Sequence, residues 1–318
     1  MTQSTMTCKA CQTRCQRFGK HRNGLRRFRC PQCKKTYTEP HKPTLEGSYL
    51  SQERITLALQ LLLEGNSIRS TQRISDLDQN TIMRLLTLAG AKCEKLMGRL
   101  IVNVPVKDVE CDEIWGFVRK KEGHKWPHEA NDGSIGDAYT FVAIERNSKL
   151  VLNFALGRRN QATTDAFIEG LRDATSRDPY QVTTDGFAPY RSAIDNTLCG
   201  RVDFAQLVKV YRSDREGEAR YSPPEVVATE SFPITGNPDP ARICTSIVER
   251  QNLTMRMQIR RLTRLTNAFS KKWENLWAAL CLHFAWYNFC RIHRTLRVTP
   301  AMQAGIADHV WDMGELLR

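Results

Sequence analysis

Apolar residues recur at helical spacing over residues 51–64, where Ile55, Ala58, Leu59, Leu62 and Leu63 share one side of a 3.6-residue period. Ser51 is placed to cap the start of this helix, and Gly65-Asn66 to stop it. Ser67 predicts the cap of a second short helix carrying Ile68, Thr71 and Ile74, and Asp78 that of a third carrying Ile82, Leu85 and Leu86. Three short helices joined by tight turns fit a helix-turn-helix unit. After Pro105 the pattern changes to that of strands, over residues 106–118, 138–144 and 150–156, the last two joined by a polar turn at 145–148. Residues 162–175 predict an amphipathic helix with Ala166, Phe167, Ile168 and Leu171 as its apolar positions, and residues 180–184 another strand, ending at Asp185-Gly186. Strands, a helix and a strand that ends in an acid describe an α/β layer with its chemistry at strand ends. Residues 212–242, rich in Pro, Gly and charge, predict an inserted loop rather than core. From Ser246 the chain reads as helical again, through the apolar, aromatic stretch 273–289.

Composition narrows the class. At 318 residues the chain has room for about two domains of ~150 residues. The apolar run at residues 57–63 is interrupted by Gln60, and no stretch approaches the ~18 unbroken apolar residues of a membrane helix. The first residues, polar and basic, hold no apolar secretory segment, so a cytoplasmic protein is expected. A net charge of +13 and a pI near 9.4 call for an anionic partner, because Lys and Arg neutralise phosphates and release counterions. Residues 1–40 hold ten Lys or Arg against the single acid Glu39, and residues 250–272 hold seven with no acid, which makes two separate basic surfaces.

Eleven cysteines suit a disulfide framework poorly. Cys8-x-x-Cys11 and Cys30-x-x-Cys33, with eighteen residues between them, have the spacing of a four-thiolate structural Zn²⁺ site. Cys15 is a spare ligand candidate or else a free thiol, and the remaining cysteines read as small buried apolar residues. The basic segment 14–29, with Phe18 and Phe28, suits contact with a nucleic-acid backbone, and Arg26 and Arg27 are candidate contacts. Pro40 and Pro43 mark a linker to the helices. There the third helix would enter the major groove with Gln79, Asn80, Thr81 and Arg84 near its N-terminal end.

Three acids stand out. Asp112 lies in the predicted strand Glu110-Cys-Asp-Glu-Ile-Trp115, Asp185 ends a second strand, and Glu249 sits near the start of a basic helix. Carboxylates on a central strand, on its neighbour's end and on an adjoining helix can converge on two Mg²⁺ ions, with Mn²⁺ as a substitute, and paired ions ~3.5–4 Å apart suit phosphoryl transfer.

The order and local sequence of these segments resemble the insertion-sequence-one family of DDE transposases over nearly the whole chain. The most distinctive stretch is Glu249-Arg-Gln-Asn-Leu-Thr-Met-Arg256, followed by Arg261-Leu-Thr-Arg-Leu-Thr-Asn-Ala-Phe-Ser-Lys271. The resemblance implies an α/β, RNase H-like catalytic domain, a mixed sheet with helices on both faces. It would span residues 104–318 with an insertion at about 198–243, after a zinc ribbon (1–40) and a helix-turn-helix domain (45–100). It also implies a basic residue seven positions after the catalytic Glu, here Arg256, holding substrate phosphate beside the metal. Asn252, Arg260, Arg261 and Arg264 are expected to grip DNA from the same segment. A second likeness, Tyr287-Asn288, Arg291, His293, Leu296 and Thr299-Pro300, adds Arg291 and His293 as candidate phosphate contacts.

The chemistry implied is attack by water, then attack of the freed 3′-hydroxyl on target DNA. The partners would be double-stranded DNA, both terminal inverted repeats and target, with at least a dimer on DNA in the nucleoid, since two ends must be joined. Departing from shorter members, the interval between second acid and Glu runs from Gly186 to Val248, so Asp195, Asp203, Asp214, Glu216, Glu218, Glu225, Glu230 and Asp239 compete for the third place. Glu110 and Glu113 compete for the first. Only Glu249 has a long helix, an Arg cluster and Arg256 behind it. The competing functions are a DNA-binding regulator with an inactive RNase H-like domain and a metal-dependent nuclease that cuts without joining.

Overall fold

The computed structural model describes residues 6–20, 25–39, 45, 48, 50–211 and 226–318. The expected linker at Pro40 and Pro43 lies outside them, as do Asp214, Glu216, Glu218 and Glu225. Strands β1 (Gln16–Lys20), β2 (Arg26–Arg29) and β3 (Thr36–Thr38) form a small antiparallel sheet in that order. Its core is Phe28 with Cys8, Cys15 and Cys30, an apolar cluster separate from the rest of the molecule.

Three helices follow: α1 (Gln52–Leu63), α2 (Ile68–Ser75) and α3 (Gln79–Leu100). Ser67 caps α2 by accepting from Ser70 N, and Asp78 caps α3 by accepting from Asn80 N; Ser51 stands at the head of α1 without such a bond. Between α2 and α3, Asp76 takes the left-handed conformation (φ 52°), which closes the turn in three residues. The third helix is not short. It runs 22 residues, because Ala89, Gly90, Cys93 and Met97 prolong its buried stripe. There it lies against α7 (Trp273–Phe289) so closely that a Cβ on Gly90 would stand 2.6 Å from Ala278 Cα.

The main sheet has six strands in the order β6-β5-β4-β7-β8-β9: β4 (Asp108–Val118), β5 (Gly136–Glu145), β6 (Val151–Gly157), β7 (Tyr180–Thr184), β8 (Val202–Tyr211) and β9 (Val226–Thr235). Helices α4 (Gln161–Ala174) and α5 (Pro189–Leu198) make the crossovers into β7 and β8, which pair in parallel with β4 and β7. Phe141 on β5 meets Phe167 of α4 and Tyr190 of α5 on one face, while Phe154 on β6 meets Trp277 and Phe284 of α7 on the other. Helix α6 (Ser246–Gln258) also packs on β4, so helices flank both faces, an arrangement that fits an RNase H-like domain. One apolar cluster joins this sheet to α1–α3, from Leu45 to Leu317.

The expected loop at 212–242 is corrected in its second half: residues 226–235 are β9, and residues 212–225 lie outside the described residues. β9 is an exposed edge strand carrying Pro233 and Glu230, so it shows neither alternation nor an apolar run, and proline is tolerated only at such an edge. The pairing of β8 with β7 ends at Gln206, whereas its pairing with β9 continues to Tyr211. The outer half of β8 is therefore a two-stranded ribbon past the end of β7.

The C-terminal likeness acquires a physical account at Asn288. Buried on α7, it accepts from Val151 N at 3.0 Å and donates to Val151 O at 2.9 Å, pairing with the start of β6 as a strand would. His283, five residues earlier on the same helix, is fully buried with neither ring nitrogen hydrogen-bonded, and burial, then Arg291, pushes it down to about 3. The unfolded chain takes up this proton below pH 6.5 and the fold does not, so stability is lost as pH falls from 6.5 towards 3, by up to ~1.4 kcal/mol per pH unit. His283→Phe is expected to remove that component: urea titrations at pH 7 and 5.5 should show a smaller drop than in the native chain. Equal drops would refute it.

Candidate functional site

Strand alternation sends Asp112 and Glu113 to opposite faces of β4. Asp112 turns towards α6, where Asn252 Nδ2 donates to its Oδ2 at 2.8 Å; Glu113 turns towards α5 and the buried Tyr190. Parallel pairing sets Cys111 opposite Thr184, so Asp112 and Asp185 follow side by side, each one residue past the last paired position. Asp112, Glu113 and Asp185 each offer an oxygen within 4.8 Å of the others. Glu249, in the first turn of α6, stands outside that group but lines the same cavity of about 520 Å³ as Asp112 and Asp185.

Each acid is held from behind. Asp112 Oδ1 accepts from Glu113 N at 2.8 Å, Asp185 Oδ1 from Phe187 N at 3.0 Å, and Glu249 Oε1 from Thr245 Oγ1 at 2.7 Å. Burial, reinforced first by Asp185, raises both Asp112 and Glu113 to about 7, and burial raises Asp185 as well. Crowded carboxylates that resist ionisation together are a donor set suited to a hard divalent cation, which relieves their repulsion.

Two cations at this site escaped the sequence reading. Arg159, in the turn between β6 and α4, places Nε 3.1 Å from Glu113 Oε2 and Nη2 3.5 Å from Asp185 Oδ2, with its guanidinium 3.8 Å over the Phe187 ring. Lys209, on the ribbon half of β8, pairs with Glu249. Both line the 520 Å³ cavity. Arg158-Arg159 before the helix cap Asn160 was the available signal, and it reads equally as a solvated turn. Lys209 lies within residues 198–243, the expected insertion, where no site residue is expected.

Of the competing acids, Glu113 stays at the site, and the others among the described residues lie elsewhere. Glu110 Oε2 accepts from Ile247 N at 2.8 Å and Val248 N at 3.0 Å, capping α6 because Thr245 spends its hydroxyl on Glu249. Asp203 accepts from Asn237 N and Asp239 caps a short turn at Ala241 N, while Asp195 and Glu230 are exposed.

Among the expected phosphate contacts, Arg256 donates to Leu262 O at 3.1 Å and Trp115 O at 3.4 Å, bracing β4 against the turn after α6, and burial pulls it down to about 10. Arg261 is mostly buried between α3 and α7, with Met83 Sδ at 3.2 Å and Asn275 O at 3.4 Å. Asn252 is engaged with Asp112. Arg264 is exposed and Arg260 half-buried. Arg291 donates to Gln258 Oε1 at 2.9 Å, and His293 meets Thr295 Oγ1 at 3.0 Å. Gln79, Asn80 and Arg84 are exposed at the head of α3, where Gln79 donates to Gln72 at 2.8 Å. Arg26 is exposed on β2, and Arg27 and Arg29 both lie over the Phe18 ring.

In the small sheet the sulfurs of Cys8, Cys11, Cys30 and Cys33 all lie within 4.8 Å of one another. Cys11 N approaches Cys8 Sγ at 3.4 Å and Cys33 N approaches Cys30 Sγ at 3.5 Å, and the next residues, Gln12 and Lys34, have positive φ. Each turn thus folds its backbone N–H groups onto its first sulfur, an arrangement that stabilises thiolates and fits a tetrahedral soft-ligand site.

Residues 136–216 match a family model, DDE_Tnp_IS240, described as a DDE domain. The matched span contains Arg159, Asp185 and Lys209, with Asp112 before it and Glu249 after it. It supports an insertion-sequence DDE transposase, and it does not single out the insertion-sequence-one branch. Comparison with curated proteins found no match. Among the described residues no helix is long and apolar enough to cross a membrane.

Proposed function

We propose that this chain is a DNA transposase that cuts at the ends of its mobile element and joins the freed ends to target DNA. The observation that carries the reading is the meeting of Asp112 and Asp185, abreast on parallel strands, with Glu249 in one cavity of a chain whose residues 136–216 match a DDE domain. Asp112, Asp185 and Glu249 would hold divalent metal, Mg²⁺ or Mn²⁺, with Glu113 as a fourth carboxylate at its edge. Such ions supply an activated oxygen nucleophile and neutralise the leaving oxygen. The chain's own part is orientation: Asn252 fixes the rotamer of Asp112, Thr245 that of Glu249, and the Phe187 N–H that of Asp185.

In this reading residues 1–40 are a zinc ribbon on Cys8, Cys11, Cys30 and Cys33. Residues 45–100 are a helix-turn-helix domain reading DNA with the head of α3, and residues 104–318 are catalytic. The insertion-sequence-one family, in a longer-chain branch, remains the finer assignment. Joining two ends requires at least a dimer on DNA, in the cytoplasm with the nucleoid. The test is strand transfer: purified chain, Mg²⁺ and a duplex carrying the terminal repeat that flanks the gene. Joined products are expected. Cutting without joining would leave a nuclease, and binding with no metal-dependent chemistry a regulator.

A further inference from the structure

The basic residue expected at the reacting phosphate, Arg256, is committed to two backbone carbonyls. The cavity beside the acids is supplied with positive charge by other residues. Arg159 enters from the β6–α4 turn, and Lys209 from the ribbon. Between them the wall is Gly186, Phe187 and Ala188, just before helix α5. An arginine fork and an ammonium in one cavity make a site for a singly charged phosphodiester.

Both cations are now held by carboxylates: Arg159 by Glu113 and Asp185, Lys209 by Glu249. Metal held by those acids would compete with both cations for the same carboxylates. We infer that Arg159 and Lys209 form the phosphate-holding pair of this site, exchanging their carboxylate partners for the phosphodiester of a DNA strand when metal loads. The anion's identity rests on the transposase reading; the exchange rests on the contacts alone. Metal and substrate then bind in a preferred order, because a strand arriving first meets cations that are already paired.

The experiment uses the full chain with Arg159→Gln and Lys209→Gln, each checked for fold by circular dichroism, and with Arg159→Lys as a charge-retaining variant. Calorimetry with Mn²⁺ alone should show tighter binding in both Gln variants, since a competing cation is gone. Anisotropy with the terminal-repeat duplex should show a loss of about tenfold for each Gln variant in Ca²⁺, and little change without metal, as befits a charge-assisted hydrogen bond. Arg159→Lys should recover part of the loss. Unchanged affinity in Ca²⁺ would reduce the pair to counterions of the acids, and weaker Mn²⁺ binding would overturn the exchange itself. A native chain that neither binds nor cuts the repeat would sink the transposase reading, while the Mn²⁺ measurement would still judge the exchange.

Discussion

Asp112→Asn is expected to slow metal-dependent strand cleavage by at least ~10³-fold, because a lost ligand removes several kcal/mol of charge stabilisation. DNA affinity measured without metal should persist, since the contacts proposed to recognise the repeat lie in α3 and the cysteine-bearing sheet. The fold offers an independent check. Burial and Asp185 raise the folded Asp112 to about 7, above its ordinary value of 3.8. The folded state therefore keeps a proton that the unfolded chain releases, and stability falls as pH rises from about 4 to about 7 and stays lower above it. The amide introduced by Asp112→Asn cannot ionise, so the metal-free variant should melt no lower than the native chain at pH 8. A variant that is inactive and also melts lower would point to damaged structure. Cleavage surviving in Asp112→Asn would remove Asp112 from the metal set in favour of Glu113.

The second large effect belongs to the cysteines. A structural Zn²⁺ in a domain this small contributes on the order of 10–16 kcal/mol of binding free energy, far more than the few apolar residues of the small sheet can offer. Chelation, or Cys30→Ser, should unfold that sheet alone, because its apolar cluster is separate from the one running from Leu45 to Leu317. The expected signature is new protease sensitivity before residue 45, weaker binding to the terminal repeat and an unchanged main melting transition. A chelated chain that keeps both its protease resistance and its affinity would exclude a metal-dependent fold there.

The parts of this molecule that could be read from sequence are those in which one local rule dominates. The two Cys-x-x-Cys turns, the caps Ser67 and Asp78, and β7 ending at Asp185 each follow from a few adjacent residues. Sites of distant origin were harder to read. Arg256 lies seven residues after Glu249, and helical spacing puts the two on one side; yet its guanidinium has gone to Trp115 and Leu262 carbonyls, a choice made by tertiary packing. Lys209 reaches Glu249 only because β8 outruns β7, and strand length is not written in a pattern that a charged, exposed edge obscures. Glu110 illustrates the same limit, as a carboxylate two residues from the proposed metal ligand Asp112 that serves as a helix cap.

Helix α3 begins with exposed Gln79, Asn80 and Arg84 and ends locked against α7 at Gly90 and beyond. Its 22 residues form one continuous helix of ~33 Å. On the proposed reading, that helix works as a ruler. The site of recognition and the site of cutting would be separated by a fixed number of base pairs, set by a protein dimension, and inserting half a helical turn of DNA between them should place the phosphate on the wrong side of the duplex.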